Sequence, residues 1–329
     1  MVTVSVVMAT YNRRHLLPEV LAPLLQDAAT SEIVAVVDGC EDGSIEYLRE
    51  QARSDPRLRP ILVPNGGQVA AQRTGVEAAR GEVVLIMDDD VLAEPGLVSG
   101  HARHHAQRSG LVVVGYMPTE RPRVRRAGSF TSELYHDVYE YRCRGWESGS
   151  EAVLRGLWGG NLSVERERLL ALGNIGGGYP LRYHHDWELG LRLHRAGLTG
   201  VFDRALAARH LHDRSYAAFA RESRAQGRDM WLIEHLHGEI MGPEQIRDRY
   251  HNRTRALTAL LTASDRPRLY RLIAAALDLA VRAAGRAHAF DLERQLASVL
   301  GHVERRRGEY EQSLETPHVA PWRPPGAPG

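Results

Sequence analysis

The chain has 329 residues, with 42 Lys+Arg against 41 Asp+Glu, so it is long enough to bury a sizeable core and has no net charge that asks for nucleic acid as a partner. Its two cysteines, Cys40 and Cys143, lack metal spacing and rule out a disulfide framework, which fits a reducing compartment. The start "VTVSVVMA" carries no basic leader, and the most apolar later run, Leu269 to Phe290, is interrupted by Arg271, Asp278, Arg282 and Arg286; a cytoplasmic protein without a spanning helix is the expectation.

The first third alternates short apolar runs with helical patterns. "VTVSVVMAT" reads as a strand ending in the polar turn "TYN". A helix follows in "RRHLLPEVLAPLLQ", with Pro18 suited to its first turn and Pro23 an interruption. "EIVAVVD" is a second strand and "GSIEYLREQAR" a second helix, with Ser44 as its expected N-cap. "LRPILVP" is a third strand, and "GQVAAQRTGVEAARG" an Ala-rich helix expected to end at Gly81. "EVVLIM" and "GLVVVGYM" are the fourth and fifth strands. Apolar strands separated by helices predict a mostly parallel, Rossmann-like α/β sheet covered on both faces. Ligands of such sheets lie beyond the carboxyl ends of the strands, where "TYN", "DGCEDGS", "NGG" and "DDD" all fall.

Residues 116–212 are less regular and hold "GLWGGNLSVERE" and "YHHDWELGLRLHRAG". From Ser215 to Tyr310 the pattern is nearly all helix, and the tail "PWRPPGAPG" has a disordered composition. The linear division is therefore 1–212 (with 1–115 and 116–212 as its parts), a helical region 213–310 and a tail 311–329. The arginine-rich runs "RPRVRR" and "ERRR" read as solvated faces.

Three consecutive aspartates, Asp88, Asp89 and Asp90, close the fourth strand. With strand pleating, Asp88 and Asp90 share a face and can hold a hard divalent cation, leaving coordination positions for phosphate oxygens; Asp89 turns away. A helix N-cap is the plainer alternative. Asp38 ends the second strand, placed either to accept an N–H from a nucleobase edge or to serve simple turn chemistry.

Taken together, "VSVVMATYNR", "EIVAVVDGCEDGS", "NGGQVAAQRTGVEAARGEVVLIMDDDV", "WGGNLSVERE" and "YHHDWELGLRLHRAG" resemble, in order and spacing, the family 2 glycosyltransferases. The resemblance covers about Val2 to His212. It implies a GT-A fold, here with a C-terminal helical extension, and an inverting transfer from a nucleotide-sugar donor, a UDP-sugar first, with dTDP- and GDP-sugars as alternatives. It implies that Thr10, Tyr11, Asn12 and Asp38 hold the nucleoside, and that the DxD motif supplies Asp90 and Asp88 to Mn²⁺ or Mg²⁺ on the diphosphate. Asp88 and Asp89 are also expected near the donor, and His210 is a candidate third metal ligand, with His212 an alternative two residues on. Asp186 falls on the general-base position, which calls for one carboxylate to take the acceptor proton; the plainer reading makes it a helix N-cap, with Glu188 paired to Arg192 one turn on. Trp158, Asn161, His185 and Trp187 are expected on the acceptor side, facing a hydroxyl of a glycan, natural product, lipid or peptide.

The chain departs from the family pattern at three places. Val37 stands where a first aspartate is usual, His185 where a glutamate is usual, and Arg73 is displaced by one residue from the usual arginine beside the donor. A scaffold that binds nucleotide sugars without transfer, or a sugar nucleotidyltransferase, are the rival readings. The latter wants a Gly-rich, basic phosphate loop after the first strand, where "TYNRRH" stands, and the missing GxGxxG disfavours a dehydrogenase. For the C-terminal helices, a packing or homodimer surface, peripheral membrane contact, and docking of a carrier are all open.

Overall fold

The computed structural model describes residues 2–211, 214–241, 255–316, 318–320 and 322. Among these, 2–119 with 140–211 form one compact unit and 120–139 with 214–322 another.

The first unit is built on an eight-stranded sheet ordered β3-β2-β1-β4-β7-β6-β8-β5. The strands are β1 (Val4–Thr10), β2 (Thr30–Asp38), β3 (Leu58–Val63), β4 (Val83–Asp88), β5 (Val91–Ala93), β6 (Leu111–Tyr116), β7 (Asn161–Glu165) and β8 (Thr199–His210). The pairs β1–β2, β2–β3, β1–β4 and β6–β8 are parallel, and β7 and β5 enter antiparallel. The mostly parallel α/β sheet read from the sequence is what forms. Its apolar runs are continuous because both faces are covered: Val4, Val6, Val7 and Met8 of β1 are all fully buried.

The fifth apolar run, β6, does not lie beside β4. The short β7 inserts between them, pairing Ile86 with Leu162 on one side and Val114 with Leu162 on the other. "NLSVE" escaped the sequence reading because its alternation mixes Asn and Ser into a buried strand. Those polar groups are matched by α4 (Leu97–Gln107): His101 bonds Ser163 Oγ at 2.7 Å and Asn161 Oδ1 at 2.9 Å, and His105 bonds Ser163 Oγ at 2.8 Å. Burial pushes His101 down to about 3 and His105 to about 4, so both rings are neutral at pH 7.

Local signals also shifted. The first helix, α1, is Leu17–Gln26, beginning later than "RRH" but with Pro18 in its first turn and Pro23 inside it. In α2 (Ser44–Ser54) the cap position is Gly43 in a left-handed conformation, and Ser44 is the first helical residue; Asp42 accepts the Ser44 N–H at 3.1 Å instead. The next helix, α3 (Gln68–Ala78), ends three residues before Gly81. The remaining helices of the first unit are α6 (Ser150–Arg155), α7 (Arg166–Ala171) and α8 (His185–Arg195).

In the second unit, α9 (Tyr216–His237), α10 (Arg255–Ser264), α11 (Pro267–Arg286) and α12 (Phe290–Glu315) pack together. Glycines set the closest approach: a Cβ on Gly227 of α9 would lie 2.0 Å from the Arg305 carbonyl, and one on Gly308 of α12 would lie 1.9 Å from that of Arg224. Residues 120–139 join this unit rather than the region 116–212 to which linear reading assigned them. The reason is packing: Phe130, at the start of α5 (Phe130–Trp146), sits edge-on to Tyr216 and Phe219 and is buried with Val281 and Ala297. The expected disordered tail needs correcting at its start. Helix α12 continues to Glu315, and Trp322 is buried with its N–H donated to the Leu236 carbonyl at 3.0 Å; residues 323–329 lie outside the described residues. No helix among the described residues is long and apolar enough to cross a membrane.

Candidate active site

The carboxyl ends of β1, β2 and β4 bring the predicted polar turns together. After β1, Thr10 is buried, Tyr11 is half exposed and Asn12 takes a left-handed φ of 55°, turning the chain towards α1. Asp42 ties this turn to the one after β2 by accepting the Arg14 N–H at 2.9 Å. Burial acts to raise the Asp42 pKa, but the hydrogen bonds from Ser44 and Arg14 outweigh it and hold it at about 2.

Asp38, 4% exposed, accepts the Gly66 N–H at 2.8 Å and the Gly67 N–H at 2.9 Å, one on each oxygen. Its carboxylate thus pins the β3–α3 turn, a long-range contact that differs from the local turn chemistry expected after β2. The pinned turn starts α3, whose first residue, Gln68, donates to Asp88 Oδ1 at 3.0 Å. Arg73 lies further along α3, half-buried, with its carbonyl accepting from Asn174.

The three aspartates separate by direction. Asp88 ends β4, and Asp90 follows in the turn to β5. Asp90 meets the Arg13 guanidinium at 3.2 Å and His210 Nε2 at 3.3 Å, while His210 Nδ1 lies 3.3 Å from Thr119 Oγ1. His210 is brought there by β8 pairing with β5, Val91 opposite His210. Asp89 lies against Thr10, Arg13 and the Tyr11 N–H, bracing the β1 turn. Burial, reinforced by Asp90, pushes it up to about 6 against those three. Asp88 is pushed up to about 7, first by burial and then by Asp90, with Asp89 and Asp186 adding to it and His210 opposing. His212, the alternative to His210, lies outside the described residues. Among the described residues no group of three His, Cys, Asp or Glu side chains is drawn together as a closed metal cage. Asp90 and His210 meet directly, and the Asp88 carboxylate feels both of their charges; hard oxygen donors of this kind suit a divalent ion that takes its remaining ligands from phosphate oxygens.

Asp186 is reached through a glycine pair. Its Oδ2 accepts the Gly159 N–H at 2.7 Å, and the next residue, Gly160, accepts the Asp88 N–H on its carbonyl at 3.3 Å. Gly160 has φ 97°, and a Cβ there would lie 2.8 Å from Asp88 Oδ2. The Gly159–Gly160 step therefore holds Asp186 and Asp88 to one short segment of backbone. Asp186 is not the cap of α8. That position is His184, in a left-handed conformation, with no side-chain cap bond, and Asp186 is the second helical residue.

One turn on, Glu188 and Arg192 form the fully buried i,i+4 pair read from the sequence, with Nε to Oε1 at 2.8 Å and Nη2 to Oε2 at 2.9 Å. Arg192 Nη1 also donates to the Leu172 carbonyl at 2.6 Å, anchoring the glycine-rich segment after α7. Arg142 of α5 was not anticipated, and no local motif marks it. Burial lowers its pKa, and the Asp186 charge opposes that shift.

The four residues expected on the acceptor side differ. Asn161 is corrected: it is fully buried, with Oδ1 bonded to His101 and Nδ2 donated to the Leu206 carbonyl at 3.0 Å, so it serves the β7–α4 network and faces no acceptor. Trp187 donates its indole N–H to the Arg155 carbonyl at 2.6 Å, which fixes α8 to α6. His185 is next to Asp186, and burial lowers its pKa; its Nδ1 is shielded with no hydrogen-bond partner. Trp158 is half-buried and directly precedes the Gly159–Gly160 step.

Residues 5–152 match the family model described as Glycosyl transferase family 2. An uncharacterized glycosyltransferase, YfnE, of Bacillus subtilis is 24% identical over 254 residues, covering 63% of this chain and 64% of that protein. An undecaprenyl-phosphate 4-deoxy-4-formamido-L-arabinose transferase of Pseudomonas aeruginosa is 38% identical over 124 residues, 36% of each chain. The chain thus spans from 29% to 64% of the length of the curated relatives it matches. Among solved structures, the mannosyltransferase PcManGT of Pyrobaculum calidifontis, in complex with GDP-Man and Mn²⁺, superposes with a TM-score of 0.57 at 18% identity, covering 91% of this chain and 86% of that one. S. aureus TarS 1-349 in complex with UDP-GlcNAc superposes with a TM-score of 0.53 at 14% identity, covering 90% of each. At these identities the likeness is one of fold.

Proposed function

Since the chain carries a family 2 glycosyltransferase domain, we propose that it transfers a sugar, with inversion, from a nucleotide-sugar donor, a UDP-sugar first, to an acceptor hydroxyl. The observation that carries this reading is the Gly159–Gly160 step, which tethers the Asp186 carboxylate and the Asp88 strand end to adjacent peptide units. One carboxylate is thereby available to the acceptor while the other faces the donor phosphates. The relatives named for glycosyl transfer, and the fold shared with proteins solved with GDP-Man and with UDP-GlcNAc, support it.

The turns after β1 and β2 hold the nucleoside, with Tyr11 half exposed there. Asp90, Asp88 and His210 would hold a divalent ion, Mn²⁺ or Mg²⁺, and PcManGT was solved with Mn²⁺. When bound, such an ion neutralises the diphosphate as it departs, so no acid is required on that side. Asp186 takes the proton from the acceptor hydroxyl. The acceptor oxygen then bonds the anomeric carbon from behind, the bond from that carbon to the phosphate oxygen breaks, and the nucleoside diphosphate leaves. The backbone N–H groups of Gly159 and Trp187, at 2.7 Å and 2.8 Å, fix the Asp186 carboxylate in place for this step.

The test pairs binding with turnover. A thermal-shift panel of UDP, GDP, dTDP and CMP, each with and without Mn²⁺, should show metal-dependent stabilisation by one diphosphate, about 2.7 kcal/mol at a hundredfold excess over Kd. Asp186→Asn should keep that stabilisation and lose donor turnover by 10²-fold or more. Stabilisation by no nucleotide refutes the donor site, and near-normal turnover by Asp186→Asn refutes the base.

A further inference from the structure

The second unit contains a cavity of about 660 Å³, within the usual range for small-molecule sites. Four arginines line it: Arg126 from the "RPRVRR" run, Arg214 before α9, and Arg282 and Arg286 from the last turns of α11. Two are neutralised by carboxylates: Arg282 donates to Asp278 at 2.8 Å, and Arg214 pairs with Glu222. Arg126 and Arg286 have no carboxylate partner among the described residues, so two guanidinium charges remain uncompensated at the cavity wall.

The cavity's own carboxylate is Glu293, 3% exposed. A Cβ on Gly285 would lie 2.6 Å from Glu293 Oε1, so α11 carries a glycine where this carboxylate packs against it. Oε1 accepts the Gly128 N–H at 2.9 Å, whereas Oε2 is buried with no partner. An orphaned buried carboxylate oxygen has lost its water without gaining a partner, a loss that is larger if the group is charged. Ser129 lies on the same wall; its Oγ accepts the Arg126 N–H at 2.8 Å, which leaves its O–H free to donate.

From this cavity we infer that the helical unit binds a phosphate ester carrying at least one hydroxyl. The two uncompensated guanidinium groups supply the planar forks that match phosphate oxygens. The volume exceeds what inorganic phosphate alone would fill, so an organic body accompanies the anion. A hydroxyl on that body suits Glu293 Oε2 in either protonation state, because it both donates and accepts. The same head-group chemistry occurs in a soluble phosphorylated polyol and in a phosphoglycerol lipid, and the test separates the two.

Binding of sn-glycerol 3-phosphate to the full chain is measured by titration calorimetry, alongside sedimentation with phosphatidylglycerol and with phosphatidylcholine vesicles. Saturable binding of the ester is expected, weakened at least tenfold in Arg126→Ala/Arg286→Ala. Both side chains are exposed, so the variant should fold, and its response to nucleotide diphosphate with Mn²⁺ should be unchanged. Arg268→Ala/Arg271→Ala, which removes the same charge from exposed positions of α11 that do not line the cavity, should bind the ester normally. Binding of the soluble ester without vesicle sedimentation assigns a soluble ligand; sedimentation with phosphatidylglycerol alone, lost in Arg126→Ala/Arg286→Ala, assigns a lipid head group. The inference is overturned if neither ester nor phosphatidylglycerol binds, or if the two double variants behave alike.

Discussion

Removing Arg192 should be among the most damaging single changes in the first unit. Both side chains of the Glu188–Arg192 pair are fully buried, and the guanidinium makes bonds of 2.8 and 2.9 Å to the carboxylate and 2.6 Å to the Leu172 carbonyl. Arg192→Met leaves the Glu188 carboxylate in the core without its cation, a loss of about 3–5 kcal/mol. The stranded Leu172 carbonyl adds about 1 kcal/mol. Against a total stability of about 5–15 kcal/mol, that is about a quarter or more. The double variant Glu188→Leu/Arg192→Met removes both charges and should recover at least 2 kcal/mol of the loss, since buried pairs replaced by apolar groups are often neutral. Urea denaturation followed by circular dichroism reads both variants. A single-variant loss under about 1 kcal/mol, or a double variant no more stable than the single, would show that the pair is not the buried, mutually dependent unit described.

Other expectations are equally direct. Asp90→Ala should abolish Mn²⁺-dependent stabilisation by nucleotide, because Asp90 meets His210 and Arg13; Asp89→Ala, which loosens only the β1 turn, should weaken it several-fold, and a calorimetric titration distinguishes them. Gly160→Ala forces a Cβ to within 2.8 Å of Asp88 Oδ2 at a φ of 97°, and should cost about 1–2 kcal/mol while lowering donor turnover more than donor affinity. The His101–His105 pair sets an acid limit. Their folded pKa values, about 3 and about 4, lie below the unfolded value of 6.5, so the unfolded chain takes up protons first and stability falls as pH drops from 6.5 towards 4. Each histidine contributes about 1.4 kcal/mol per pH unit in that window. Urea midpoints at pH 7, 6 and 5 should show the decline, and His105→Gln should make it shallower; a flat profile would contradict the burial of these rings.

Much of the catalytic frame was legible in the chain. The apolar runs of β1, β2, β4 and β6 announced a covered sheet because strands buried on both faces must be apolar throughout; β3, at the sheet edge, is only partly covered. The turns at their carboxyl ends, with Asp38 and the three aspartates, fell where such a sheet presents ligands. The i,i+4 spacing of Glu188 and Arg192 announced their pairing. All of these are local or periodic, and period is what a sequence records.

Contacts between distant segments were decided only by the tertiary structure. Asn161 resembled an acceptor ligand within its motif, yet β7 inserts it beneath α4, where His101 and the Leu206 carbonyl use up its amide. Asp38 was open between nucleobase and turn; the folded chain gives both of its oxygens the N–H groups of Gly66 and Gly67, 28 and 29 residues away. "RPRVRR" read as a solvated run, but Arg126 reaches the wall of a cavity with Arg286, which is 160 positions further along the chain. The sequence by itself determined which strands are buried and where the charges cluster, because burial and periodicity act over a few residues. Which charges find partners, and which are left to bind something else, depended on side chains that only the folded backbone brings within hydrogen-bonding distance.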